Sequence, residues 1–188
     1  QGVKGAVTPG VRPLQHQIID EKALPESEHT RFRGLAARAN YLAAHRVDVI
    51  YAAKEVCRFM AKPTDLAMTA LKRLARYLKA HPRMVFKMPF QECTHIDVYS
   101  DTDWAGCLRT RKSTSGGCVV LGSHTTKAWS ATQASLALSS GEAEYYGVVR
   151  AAGVGLGVQA LLRDAGVDMP IRVWTDSEAA MGLSLIHI

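Results

Sequence analysis

Apolar positions recur along this chain with two different periods, and the change between them divides it. From Ser27 to Arg46 the period is helical. Phe32, Leu35, Ala39 and Leu42 follow at steps of three and four, with Arg31, Arg33 and Arg38 off that stripe. A second helix is predicted from Asp48, a good N-cap, through Val49, Ala52, Ala53, Val56 and Met60, and Pro63 stops it. Thr64 caps a third helix with an apolar stripe of Ala67, Leu71, Leu74 and Leu78. Pro82 ends it near Ala80 or His81. Residues 1–27, with Pro9, Gly10 and Pro13, show no sustained period and read as an irregular lead-in.

Past Pro82 the pattern shortens. Met84-Val85-Phe86 predicts a short strand, and a domain boundary is placed near Glu92. The β-branched and aromatic run His95–Tyr99 predicts a strand that gives out at Asp101 and Asp103. Cys107 to Ser115 is polar and reads as a turn. Gly116–Leu121 and Lys127–Ser130 read as two further strands, joined by a hairpin signal at Gly122-Ser123. Three strands on short connections imply an antiparallel meander. Ser139-Ser140-Gly141-Glu142 has the form of a capping box and opens a helix running to about Asp164. That helix is apolar nearly all round, hence predicted to be buried. Ile171–Thr175 is a fourth strand, and Asp176-Ser177-Glu178 opens a last helix. The crossover through the long helix returns the fourth strand parallel to the first. The fold class is α/β, preceded by a small, mainly helical region.

This topology makes the acids informative. Asp101 and Asp103 share a face if the strand persists, and two neighbouring carboxylates are best tolerated with a cation between them. If the first and fourth strands are neighbours, Asp176 arrives beside Asp101. Asp176 at a strand end is a better candidate than Glu178, which serves the helix dipole. Glu142 and Glu144 lie about 200° apart around their helix, so only one of them can face the site. Periodicity leaves that choice open. Three convergent carboxylates without a nucleophilic Ser-His or Cys-His arrangement suit Mg²⁺ or Mn²⁺. A pair of such ions about 4 Å apart can activate water at a phosphodiester.

Charge adds a partner. Residues 1–92 hold 16 Lys and Arg against 8 Asp and Glu, whereas residues 93–188 hold 7 against 9. On the third helix Lys72, Arg76 and Lys79 form a ladder, either a solvated face or a track for a phosphate backbone. Arg111 and Lys112 add positive charge in the turn after the first strand. The four cysteines have no Cys-x-x-Cys spacing and the seven histidines are scattered, which points away from zinc and towards thiols in a reducing compartment. No apolar stretch has the ~18 residues of a membrane span. The start, Gln1-Gly2-Val3-Lys4, reads as an interior piece of something longer.

The runs Tyr99–Gly106, Arg111–Gly116, Ala137–Tyr145 and Trp174–Ser177 resemble, in order, the ribonuclease H domain of Copia-type retrotransposon polyproteins. Upstream, Phe32–Leu35, Arg46–Asp48, Arg58–Thr64 and Leu74–Lys79 resemble the region after the polymerase palm in the same polyproteins. The resemblance implies a ribonuclease H-like mixed sheet over residues 93–182 and a thumb or connection region over 1–92. It also implies a metal-dependent endonuclease cutting the RNA strand of RNA–DNA hybrids. Matched motif by motif, its catalytic and metal-binding acids fall on Asp101, Glu142 and Asp176, with two Mg²⁺ or Mn²⁺ ions. Asp103 is a neighbour. Lys72, Arg76, Lys79, Arg111 and Lys112 are the residues expected to touch nucleic acid. The expected partners are the hybrid and the remainder of the Pol polyprotein, in an intracellular particle or the nucleus, with no membrane.

Gly141 departs from the Thr or Ser usual in that family. The palm is absent, so no DNA synthesis is expected. A fifth strand, a last helix and a fourth acid are expected downstream, and residues 183–188 resemble a translated sequencing adapter. The rival expectation is a non-catalytic nucleic-acid-binding or connection module.

Overall fold

The structure, a computed structural model, describes residues 4–186 and divides the chain into two compact units, Gln1–Val85 and Phe86–Ile188. The division precedes Glu92 because residues 81–95 form neither helix nor strand, so Met84–Phe86 is not the strand predicted. Gln91 already belongs to the second unit. Its amide donates to Leu121 O at 3.2 Å and accepts from Ser123 N at 3.0 Å.

The first unit is helical: α1 (Gln15–Ile19), α2 (Glu26–Ala43), a 3₁₀ turn (Val47–Val49), α3 (Ile50–Cys57) and α4 (Asp65–Ala80). The lead-in is thus less irregular than predicted, carrying α1 and a bridge between Ala23 and Thr64. Helix α2 buries Phe32, Ala36, Ala39 and Ala43, while Leu35 lies exposed. Its packed side is therefore the alanine row, which lets neighbouring helices approach closely. Phe32 and Ala36 meet Val56 of α3 and Ala67, Met68 and Leu71 of α4. Ala39 and Ala43 meet Val49, Ala52, Ala53 and Leu74. Thr64 caps α4 as predicted, its Oγ1 accepting from Ala67 N at 3.2 Å. Asp48 does not cap α3. It lies within the 3₁₀ turn, and its carboxylate accepts two bonds from Arg46 (2.9 and 2.8 Å) and one from the Tyr77 hydroxyl (2.9 Å).

The second unit holds β1 (Ile96–Asp103), β2 (Thr114–Leu121), β3 (His124–Thr132), α5 (Ser140–Asp164), β4 (Ile171–Trp174) and α6 (Glu178–Ile186). Among the described residues the sheet has four strands in the order β3-β2-β1-β4, with β1, β2 and β3 antiparallel and β4 parallel to β1. This is the predicted meander with its parallel return. The expected foreign tail, residues 183–188, falls partly on the end of α6, and residues 187 and 188, like residues 1–3, lie outside the described residues.

Helix α5 is not buried all round. Only Ala143, Gly147, Ala151 and Gly155 are fully buried, Val154, Val158 and Leu162 pack partly against the sheet core, and Val149, Leu156 and Leu161 stand in solvent. Four small residues at steps of four make a flat strip on which the helix lies against the sheet. A Cβ on Gly155 would stand 3.0 Å from Val98 and 3.1 Å from Ile171. Ile96, Val98, Val119, Ala151 and Met169 fill the core beneath it.

Candidate metal centre

The two aspartates are brought together by the parallel pairing of β1 with β4. The last paired residues are Tyr99 and Trp174, and Asp101 and Asp176 each lie two residues beyond. On β1, Ile96, Val98, Ser100 and Thr102 are buried beneath α5, whereas Asp101 and Asp103 are exposed. Glu144 enters from the second turn of α5. One carboxylate oxygen from each of Asp101, Glu144 and Asp176 lies within 4.8 Å of the other two.

Glu142, the residue assigned by resemblance, does not join this cluster. Ala143 faces the sheet, so Glu142 and Glu144 flank it at about 100° on opposite sides. Glu144 is swung towards the β1–β4 end. Glu142 is swung towards the preceding loop, where its carboxylate accepts from Leu138 N (2.7 Å) and the Tyr146 hydroxyl (2.7 Å). Those two bonds hold its carboxyl below the usual glutamate range. Ser139 does cap the helix, accepting from Glu142 N at 3.1 Å, but the Glu142 side chain takes Leu138 N instead of the Ser139 N–H, so only half of the predicted capping box forms. The small-residue row Ala143, Gly147, Ala151, Gly155 was the signal in the sequence that could have located the sheet-facing side and so set the two glutamates apart.

Glu144 is electrostatically the opposite case. Burial is the main cause that raises its carboxyl above the usual range, and the charges of Asp101 and Asp176 add to it. A backbone bond from Thr102 acts the other way. Its Oε2 is buried and has no hydrogen-bonding partner among the described residues. A buried carboxylate oxygen left unsatisfied beside two more carboxylates is costly unless a cation or a proton meets it. The donor set, three carboxylates, fits a hard divalent ion such as Mg²⁺ or Mn²⁺.

The position of Glu144 depends on how closely α5 lies on β1. A Cβ on Gly147 would come 2.5 Å from Thr102 Oγ1 and 2.9 Å from Ser100 Oγ. Both hydroxyls are buried, and Thr102 is β-branched with few alternative rotamers. Gln133 ties the same region, donating to Ser115 Oγ (2.9 Å) and Ala143 O (2.8 Å). Gly147→Ala is therefore expected to cost about 1–3 kcal/mol by overpacking, measured by urea unfolding. It should also weaken Mn²⁺ binding by displacing Glu144.

The basic residues are dispersed. In the first unit Lys72, Arg76 and Lys79 are all exposed on α4, as a phosphate-tracking or a solvated face requires. In the second, Arg111 is exposed in a left-handed conformation (φ 55°), and Lys112 donates through Nζ to Ala134 O at 2.6 Å. Gly141, the departure at the start of α5, packs against α6. A Cβ there would meet that of Ala179 at 3.0 Å. Among the described residues no helix is long and apolar enough to cross a membrane.

The chain is 33% identical over 156 residues, 82% of its length, to the retrovirus-related Pol polyprotein from transposon RE1 of Arabidopsis thaliana. It is 33% identical over 153 residues to the corresponding polyprotein from transposon RE2. The chain is a distant homologue of retrovirus-related Pol polyproteins. It spans about a tenth of their length (11% and 10%). A further relative, secreted RxLR effector protein 161 of Plasmopara viticola, is 34% identical over 100 residues, 70% of that protein. No family model matches this Pol-related chain, and no solved structure matches it significantly.

Proposed function

We propose that the second unit is a metal-dependent ribonuclease H-type nuclease module that cuts the RNA strand of RNA–DNA hybrids within a retroelement polyprotein. The observation that carries this reading is the meeting of Asp101, Glu144 and Asp176 within 4.8 Å, with the Glu144 oxygen unpartnered. The order of sheet elements, meander then parallel return, supports it. So does the relation to Pol polyproteins over four-fifths of the chain.

In this reading Asp101, Glu144 and Asp176 hold Mg²⁺ or Mn²⁺. A bound ion pair would supply charge neutralisation at the phosphodiester and a lowered pKa for the attacking water. The protein's own contribution is placement. Asp101 and Asp176 present their carboxylates just beyond the end of the β1–β4 pairing, and Gly147 and Gln133 hold the helix bearing Glu144 down on the sheet. No side-chain nucleophile is needed. Choice of a hybrid would rest on backbone shape and 2′-hydroxyls, and the exposed α4 cations Lys72, Arg76 and Lys79 would add sequence-independent attraction.

The test is Mn²⁺ titration of the whole chain, followed by incubation with a labelled hybrid. Wild type should bind Mn²⁺ and cut the RNA strand, leaving duplex DNA intact, and Asp101→Asn should lose both. Unaltered Mn²⁺ affinity in Asp101→Asn and Asp176→Asn would sink the reading and leave a non-catalytic binding module.

A further inference from the structure

The sheet face carrying Asp101 also carries two aromatic rings. Tyr99 and Trp174 face each other across β1 and β4 with centroids 6.2 Å apart and planes inclined by only 13°, and each keeps 45% of its surface exposed. Side by side, the two exposed rings make a contiguous apolar patch, the kind of surface that marks a binding site. Trp174 is also held in place. Trp174 Nε1 donates to Asp97 Oδ1 at 2.8 Å, and the same carboxylate takes Nε and a terminal nitrogen of Arg172 at 2.8 and 2.9 Å. The Arg172 guanidinium lies 5.6 Å from the centre of the Trp174 ring. The orientation of the Trp174 ring is thus fixed before any ligand arrives, which lowers the entropy cost of stacking.

This platform and the acids share one shallow depression of about 490 Å³, lined among others by Tyr99, Asp101, Gly116, Trp174 and Asp176. Gly116 stands opposite Asp101 in the β1–β2 register and leaves that part of the face without a side chain. An exposed aromatic pair therefore adjoins a carboxylate cluster suited to a divalent ion. A nucleotide has that same division, with a flat base at one end and a phosphate that needs a cation beside carboxylates at the other.

We propose that Tyr99 and Trp174 form a stacking platform for the base of an unpaired nucleotide flanking the phosphate at the metal centre. The proposal rests on the nuclease reading for the location of that phosphate. Inside a duplex both faces of a base are covered by its neighbours. The platform therefore selects an overhang, a junction or a splayed nucleotide rather than the middle of a hybrid. Sequence preference should be weak, because every base offers a π-face.

The experiment compares two labelled hybrids, one blunt and one with a short single-stranded RNA overhang, by fluorescence anisotropy on the whole chain. Ca²⁺ replaces Mg²⁺ to slow hydrolysis. Wild type should prefer the overhang by roughly tenfold, the size of one base–aromatic stack. Trp174→Ala should abolish that preference and Trp174→Phe should keep most of it. The overhang should quench tryptophan fluorescence in wild type and less in Trp174→Ala. Near-unchanged far-UV circular dichroism identifies a folded variant, and Trp174→Phe serves as the conservative substitution that retains the ring. An overhang preference undiminished in both Trp174→Ala and Tyr99→Ala overturns the platform, whatever happens to cleavage. If Asp101→Asn keeps its metal affinity while Trp174→Ala still loses the preference, the nuclease reading fails and the platform survives as a single-strand binding site.

Discussion

Glu144→Gln is expected to lower metal-dependent cleavage of a hybrid by at least roughly a hundredfold, the scale on which a hydrolytic site loses a positioned charge. Glu142→Gln should leave most of it. The contrast follows from where the two side chains go. Glu144 meets Asp101 and Asp176, while Glu142 is occupied by Leu138 N and Tyr146. A glutamine at 142 can still accept from Leu138 N, so the start of α5 is largely preserved. The reverse ranking, with Glu142→Gln inactive and Glu144→Gln active, would return the assignment to the residue suggested by motif resemblance.

The same substitution has a signature in stability. Burial and two neighbouring carboxylates raise the Glu144 carboxyl above its unfolded range, so the folded state holds that proton more tightly than the unfolded chain does. The sign is then fixed. This group favours folding at pH below the ordinary glutamate range, and the advantage is lost as pH rises through the raised folded value. At neutral pH the ionised side chain opposes folding until a cation meets it. Without divalent ions Glu144→Gln should therefore melt higher than wild type at pH 7 and no higher at pH 4. Mn²⁺ should raise the melting temperature of wild type and leave that of the variant nearly unmoved. Because metal competes with the proton on Glu144, the Mn²⁺-induced shift should shrink as pH falls, beginning at a less acidic pH than an ordinary carboxylate site would show. Thermal melts over pH 4–8, with Mn²⁺ or EDTA, give all of these readings.

Much of this arrangement was legible without coordinates, for reasons that differ by element. The meander and the parallel return followed from short β-branched and aromatic runs on short connections, then a helix long enough for a crossover. With the sheet order known, Asp101 and Asp176 had to meet. Helix caps at Thr64 and Ser139 were equally plain, because the bonds they make are local. What failed was rotational setting. In α2 the packed row is Phe32 followed by alanines, whereas a stripe through the large residues puts Leu35 inside. In α5 apolar residues on every side concealed that the fully buried row is the small one, so Glu142 and Glu144 could not be separated by hydropathy. Asp48 failed differently. A local rule made it a helix cap, but a guanidinium two residues earlier and a tyrosine from a different helix took its carboxylate instead. The Tyr99–Trp174 pair was invisible for a related reason, since only the β1–β4 register aligns two aromatics so far apart in the chain.

Asp48→Ala should destabilise the first unit by about 2–3 kcal/mol. The carboxylate holds Arg46 in a two-pronged pair, with Arg46 side-chain exposure of 9% and that of Asp48 24%. Removing one partner of a fully buried pair typically costs about 3–5 kcal/mol because the other charge is stranded. The quarter of Asp48 that remains in water brings the figure down. Arg46 would keep its bond to His81 O at 2.9 Å, and Tyr77 would lose its acceptor on Asp48. Those contacts join the 3₁₀ turn to α4 and to the residue that ends it, so the loss spreads beyond one side chain. The hydrogen bonds from Arg46, chief among its causes, hold the Asp48 carboxyl below the usual aspartate range. Its contribution is therefore present above the unfolded aspartate value and fades as pH falls through the lower folded one. Urea unfolding of the whole chain at pH 7 and pH 3 reads both effects. The gap between wild type and Asp48→Ala should be widest at pH 7 and narrower at pH 3, whereas an equal gap at both would assign the loss to packing alone. Arg46→Met supplies the complementary case. It strands Asp48 instead, but that carboxylate is the more exposed partner and keeps the Tyr77 hydroxyl, so the change should cost less than Asp48→Ala even though it breaks the same pair.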